Sequence, residues 1–150
     1  MTPSDLVEIE AIKQLKARYF RLMDQKRWDE WGDVFAEDAE IDVTDEVPDA
    51  RVAGRANIVA FVSGAVGQAV TIHHGHMPEI ELASASRARG IWAMEDHLEF
   101  PGDPPFVVDG RGHYHEEYEK GSDGRWRIRR LRLARLWLSH GGRLVIPRPA

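Results

Sequence analysis

Cysteine is absent from the chain of 150 residues, which removes disulfide scaffolds, thiol nucleophiles and thiolate metal sites from consideration. Long apolar runs are absent too, and no stretch approaches the roughly 20 apolar residues that a helix needs to cross a bilayer. The opening MTPSDLVEIE is acidic and lacks an apolar run, so no signal peptide is expected and the cytoplasm is the expected location. No repeat, low-complexity segment or internal linker divides the sequence, which predicts a single domain over residues 1–150. What is present is ordinary globular composition, 43% hydrophobic and 30% charged, with a formal net charge of -5. At this length about two-thirds of the unfolded surface can be buried, so a core can close without a disulfide or structural metal.

Basic residues are concentrated late: 10 Lys+Arg accompany 21 Asp+Glu over residues 1–110, against 10 and 4 over 111–150. The late arginines alternate with Trp126, Ile128, Leu131 and Leu133, as on a strand with one solvated face, and no aromatic-and-glycine RNA-binding signature accompanies them. Neither a nucleic-acid nor a membrane partner is expected.

Thr2-Pro3-Ser4-Asp5 offers an N-cap, a first-turn proline and a first-turn acid. Leu6, Ile9, Ile12, Leu15, Tyr19 and Leu22 then follow at spacings of three and four, predicting an amphipathic helix to about Asp24. Trp28, Trp31, Val34 and Phe35 repeat the period as a second helix. Ile41 to Val43 reads as a strand, 44–53 as loop, and Arg55 to Val62 as a third helix after Gly54. Four strand-like segments follow: Val70 to Leu82, Ala88 to Phe100, Phe106 to Lys120 and Arg125 to His140. Ser84-Ala85-Ser86, Pro101 to Pro105 and Gly121 to Gly124 separate them with turn chemistry. Helices first and a strand meander afterwards predict an α+β fold, with helices covering one face of a curved antiparallel sheet.

Several residues break these patterns. Asp96 shares its strand face with Trp92, Met94, Leu98 and Phe100, and a carboxylate on a core-facing stripe costs several kcal/mol unless it is paired, hydrogen-bonded or protonated. It is either a buried structural ion pair or part of a site. In the last strand Trp126 and Ile128 set one parity and Leu131, Leu133 and Trp137 the other, predicting a bulge near Arg129-Arg130. Arg135 then falls on the apolar side, either snorkelling to solvent or pairing inward with Asp96.

Histidines cluster at His73, His74 and His76 and at His113 and His115. Residues at i and i+2 of a strand share a face, so His74 with His76, or His113 with His115, have half-site spacing for a divalent metal. No HExxH helix accompanies them, and hydrogen-bonding or surface roles are the expectation, with no metal. Parity alone leaves open whether His73 points inward, because Ile72 and Ile80 favour the other face. Tyr19 and Asp24 lie five residues apart, about 140° around an ideal helix. Asp24 also sits at the unfavourable negative end of the helix dipole, which suggests that an acid is needed there. Trp92, Trp137, Met94 and Phe61 are candidate cavity walls.

Taken together, the segments Tyr19 to Asp24, Arg27 to Trp31, His73 to Ile80, Gly90 to Asp96, Gly112 to Tyr118 and Gly124 to Ile128 resemble the SnoaL-like branch of the nuclear transport factor 2 superfamily over nearly the whole chain. Within it the pattern is most similar to the bile-acid 7α-dehydratase group and more distantly to scytalone dehydratase and ketosteroid isomerase. The resemblance implies a cone-shaped α+β fold and a cofactor-free dehydratase acting on a hydrophobic small molecule, polycyclic or steroid-like, whose C–H is acidified by a carbonyl or enone. It implies catalytic roles for Tyr19, Asp24, His73, Asp96 and Arg135. His73 would abstract the proton, Asp24 orient the imidazole and Tyr19 donate to the oxygen, with Asp96 and Arg135 behind them or Arg135 on the substrate. Candidate substrate contacts are His76, Trp92, Met94, His113, His115 and Tyr118. No cofactor is expected. A ketosteroid-isomerase-type isomerase and a non-catalytic binding or association domain are the alternatives. Relatives of this fold pair their sheets, which implies a homo-oligomer, a dimer or trimer, with Leu136-Trp137-Leu138 as an expected contact.

Overall fold

The computed structural model describes residues 1–147, so the last three residues of the expected domain lie outside the described residues. Helix α1 (Pro3–Asp24) starts with the expected signals: Thr2 accepts from the backbone N–H of Asp5, and the Asp5 carboxylate accepts from the N–H of Thr2. Ile12, Leu15, Tyr19, Leu22 and Met23 form its buried stripe, whereas Leu6 stays 55% exposed on the first turns. The second helix is shorter than expected. Helix α2 (Trp28–Gly32) stops after one turn, and Val34 leads into strand β1 (Phe35–Asp42). Phe35, Ala39 and Ile41 face the core there. The stretch read as loop contains a short strand, β2 (Arg51–Ala53), and helix α3 (Arg55–Val66) runs one turn beyond Val62.

Strands β3 (Val70–Ser84), β4 (Arg87–Phe100), β5 (Phe106–Lys120) and β6 (Trp126–His140) form the meander, and β7 (Arg143–Ile146) folds back on β6. The sheet order is β2-β1-β6-β5-β4-β3, with β1 parallel to β6 and every other pairing antiparallel. The sheet is therefore mixed, and it is not closed.

Two irregularities decide which residues face inward. In β3 the register with β4 shifts between His76 and Glu79, where Met77 has a positive φ of 20°. Before this bulge Thr71 and His73 face the helices and Ile72 faces out; after it Ile80 and Leu82 pack on the core. The conflict between Ile72 and Ile80 thus reflects one strand with two parities. In β6 the expected bulge leaves Arg129 unmatched, and a second, unforeseen one leaves Leu136 unmatched. The second keeps both Arg135 and Leu138 inside. The run Leu136-Trp137-Leu138 is consequently not an exposed patch: Leu136 is exposed, Trp137 is half-buried under Arg111, and Leu138 is fully buried.

The main core lies between α1, α2 and the concave sheet face, around Ile12, Leu15, Trp31, Phe35 and Ile128. A smaller cluster of Leu98, Val108 and Leu138 lies toward one end of the sheet, with Val66, Phe100 and Ile146 packed on it.

Candidate active site

Between these two clusters lies a cavity of about 340 Å³, walled by residues of both. Its apolar side comes from α3 and the strand ends, with Phe61, Val66, Leu98, Phe100 and Val108. The polar side carries Tyr19, Glu46, His73, Asp96, Tyr114 and Arg135, and His140 also lines it.

Asp24 does not line this cavity; it stands behind His73. The helix ends at Asp24, and Lys26 turns the chain with a φ of 60°, which aims the carboxylate at β3. Asp24 Oδ1 lies 2.6 Å from His73 Nδ1 and accepts from Thr71 Oγ1 at 3.0 Å, while Oδ2 accepts the backbone N–H of His73 at 2.9 Å. Lys26 Nζ donates to Thr71 Oγ1 at 2.7 Å from the outer side. Burial opposes the Asp24 carboxylate, but the bonds from His73 and Thr71 outweigh it and hold its pKa below the ordinary value. An ionised acceptor at Nδ1 holds an N–H on that nitrogen and turns Nε2 away from Asp24. Tyr19 and Asp24 therefore need not share a helix face, because the imidazole spans the gap.

The next strand continues the row. His73 pairs in register with Asp96, and His73 Nε2 lies 3.8 Å from Asp96 Oδ2. Arg135 reaches across β5 to Asp96, its Nη1 and Nη2 donating at 2.8 Å each to the two carboxylate oxygens. Gly110, opposite Asp96 on β5, makes the crossing possible: a Cβ there would lie 2.3 Å from Arg135 Nη1. Arg135 Nη2 also donates to Glu46 Oε2 at 2.9 Å, and the Arg135 backbone N–H donates to Asp45 at 2.9 Å. Burial raises the Glu46 pKa, with Arg135 pulling it down and Asp96 pushing it further up. Arg135 and Trp31, whose side chains line the cavity, each carry a fully buried N–H, Nε and Nε1, without a hydrogen-bond partner.

Behind the phenols lies a second buried pair. Lys16 Nζ contacts Glu116 at 2.5 Å and lies 3.7 Å from the ring centroids of both Tyr19 and Tyr114. Burial brings the Lys16 ammonium down to about 8 against the pull of Glu116. Burial, reinforced by Glu116, pushes the Tyr19 hydroxyl up, so it stays a proton-bearing donor.

Of the residues expected at the site, Tyr19, His73, Asp96 and Arg135 share this wall, with Asp24 directly behind. The expected substrate contacts fall elsewhere. His76, His113 and His115 are on the opposite sheet face, because alternation puts them out of phase with Tyr114 and, past one residue, with His73. His74 joins His76 there, beside Glu95. Trp92, Met94 and Tyr118 point inward but are core: Trp92 Nε1 donates to Tyr118 at 2.9 Å, Tyr118 donates to Glu116, and the Met94 sulfur rests 3.5 Å from Arg135 Nη1. Phe61 alone of the four proposed cavity walls lines the cavity. Glu46 and Tyr114 join the wall without having been expected there: Glu46 sits in a polar connection, and Tyr114 alternates along β5 as any core aromatic would. Among the described residues no group of three or more His, Asp or Glu side chains is arranged to hold a metal, and no helix is long and apolar enough to cross a membrane.

Comparison with known proteins matches residues 4–132 to the SnoaL-like domain. A scytalone dehydratase candidate from Novosphingobium aromaticivorans superposes with a TM-score of 0.83 at 24% identity, over 93% of this chain and 91% of that one. The hexachlorocyclohexane dehydrochlorinase LinA type 2 gives 0.79 at 19% identity, over 97% of each chain. A candidate aromatic ring hydroxylase from Novosphingobium aromaticivorans gives 0.80 at 22%, over 93% and 96%. Three differently named activities on one backbone establish the fold and leave the chemistry to be argued from the site.

Proposed function

The chain belongs to the SnoaL-like domain family, with a nuclear transport factor 2-like α+β fold, and from that premise we propose that it is a cofactor-free dehydratase eliminating water from a hydroxyl substrate activated by a carbonyl or enone. The observation that carries this reading is the Asp24–His73 pair, held at 2.6 Å on the polar wall of a largely apolar cavity, with Nε2 3.8 Å from Asp96. A C–H next to a carbonyl is acidic enough to lose its proton only if the developing enolate is stabilised in place. His73 Nε2 takes that proton, and Asp24 stabilises the imidazolium. The electron pair moves to the carbonyl oxygen, where the Tyr19 and Tyr114 hydroxyls supply hydrogen bonds. The pair then returns to form the C=C bond as the adjacent C–O bond breaks, and hydroxide leaves as water with the proton carried by His73. That Asp24 stands behind the imidazole, away from the cavity, favours histidine as the base over the lone carboxylate of isomerase-type chemistry. Likeness to the scytalone dehydratase candidate supports elimination; the finer kinship with bile-acid 7α-dehydratases rests on the set Tyr19, Asp24, His73, Asp96 and Arg135.

The test uses 3-hydroxy-1-tetralone, a bicyclic β-hydroxyketone whose dehydration yields 1-naphthol and is followed by naphthol fluorescence. Wild type should turn it over, and His73→Ala and Asp24→Asn should each lower kcat by about 10²–10⁴ with an unchanged circular dichroism spectrum. A fully active His73→Ala protein would refute the assignment of the base, and a dispensable His73 with an essential Asp24 would point to isomerisation.

A further inference from the structure

Arginine in a ligand cavity is ordinarily an anion receptor, because its planar fork matches a carboxylate through two parallel N–H bonds. Here the fork is already filled. Both terminal nitrogens of Arg135 donate to Asp96 at 2.8 Å, and Nη2 donates again to Glu46 at 2.9 Å. We propose that Glu46 is a specificity-determining residue that makes this cavity select uncharged oxygen-bearing ligands and reject carboxylates.

The two acids do not contribute equally. Asp96 is built into the sheet, on a central strand, with Gly110 leaving room for its pairing across β5. Glu46 comes from outside the sheet, on the 43–50 connection between β1 and β2, and its side chain keeps 21% exposure where it meets Arg135. It therefore occupies the place at which an incoming carboxylate would engage the guanidinium. The surrounding charge reinforces this exclusion. Asp96 and Glu46 set two carboxylates on one guanidinium at this end of the cavity, and Asp45 adds a third at the Arg135 backbone N–H. Lys26 lies on the far side of Thr71, and Lys16 is consumed by Glu116 behind the phenol rings. What remains for a ligand is single-point donation from the Tyr19 and Tyr114 hydroxyls, which suits a ketone, ester or alcohol oxygen and leaves a carboxylate without its fork.

The inference rests on this cavity being the ligand site and is independent of elimination chemistry, because its test reads binding. The matched probes are 2-acetylnaphthalene, neutral, and 2-naphthoate, its anionic isostere, titrated near neutral pH against the fluorescence of Trp31 on the cavity wall and by calorimetry. Wild type should bind the ketone at least tenfold more tightly than naphthoate. Glu46→Gln should narrow that ratio by tenfold or more through tighter naphthoate binding, with the ketone Kd changed less than threefold. Glu46→Ala removes the charge without adding a donor and should act in the same direction. Glu40→Gln makes the same change of net charge on the outer face and should leave the ratio as it is. Equal wild-type affinity for the two probes, or an unchanged ratio in both Glu46 variants, overturns the proposal. Binding of neither probe overturns it together with the assignment of the cavity, whereas probe selectivity without tetralone turnover would leave it standing and remove only the dehydratase reading.

Discussion

Gly110→Ala adds one methyl group at the centre of the polar wall, and its cost can be worked from the geometry. The new carbon would lie 2.3 Å from Arg135 Nη1 and 2.5 Å from Asp96 Oδ1, about 1 Å inside the ~3.5 Å at which non-bonded atoms begin to attract. Neither group has room to retreat together with its partner. Asp96 sits on a strand paired on both sides, and Arg135 is held at Nη2 by Glu46 as well and at its backbone by Asp45. The ion pair must separate, and parting a buried pair costs about 3–5 kcal/mol. Replacing glycine within a strand returns about 0.5–1 kcal/mol of backbone entropy, leaving a net loss of about 2–4 kcal/mol. For a chain of this size that is a fall of about 5–15 °C in Tm. Urea unfolding gives the free energy directly. In an Asp96→Ala, Arg135→Ala background the methyl meets neither charged group, so the same substitution should be neutral or slightly stabilising, and the difference between backgrounds measures the coupling. A Gly110→Ala protein within about 0.5 kcal/mol of wild type, with both Asp96–Arg135 hydrogen bonds intact in its crystal structure, would refute the reasoning.

Lys16→Met strands the Glu116 carboxylate in the core and should cost about 3–5 kcal/mol in urea unfolding. Adding Glu116→Gln keeps an acceptor for Tyr118 without the charge and should bring stability back to within about 1 kcal/mol of wild type; a single variant as stable as wild type contradicts this account. The Asp24 pKa is held below 3.8 in the fold, so its stabilisation is complete above that value and is lost as pH falls through the lowered one. Stability curves of wild type and Asp24→Asn should therefore converge in acid and separate toward neutrality, and parallel curves would disprove it. Ile72 on edge strand β3 and Ile91 on its neighbour β4 are exposed on the sheet face away from the helices, where a dimer or trimer would cover them; light scattering that returns one chain's mass removes that idea.

The order of elements and the inward face of β4 were legible because each depends on local pattern. Capping residues opened α1, and alternation defined Trp92, Met94, Asp96 and Leu98. What failed to show were features whose cause is tertiary. Phe35 repeats the helical spacing of Trp28 and Trp31, yet β1 begins there because the parallel pairing with β6 captures the chain: Phe35 lies opposite Ile128, and Arg55 donates to its carbonyl at 2.6 and 3.0 Å. Strand β2 is three residues long and exists only as the partner of Glu40 to Asp42. The bulge near Arg129 left a trace, since apolar residues changed parity across it. The one at Leu136 left none, because Arg135, Trp137 and Leu138 can each be argued to either face.

The same distinction governs the site. Asp96 and Arg135 stood out because a charge on an apolar stripe must be paired, so composition alone announces a partner somewhere in the fold. His73 could not be chosen from its neighbours by alternation, since the bulge at Met77 reverses the parity that would have singled it out. Glu46 carried no signal at all: an acid in Thr44-Asp45-Glu46-Val47-Pro48-Asp49 is what a solvated connection normally contains. Its burial arises only when that connection folds over Arg135, and the surplus of negative charge appears only when β4 and the β1–β2 connection bring Asp96 and Glu46 to one guanidinium. The groups proposed to do chemistry were thus visible where they violate a strand's own pattern. The group proposed to choose the ligand lies where no local pattern exists to be violated, and the charge balance among distant segments is what exposes it.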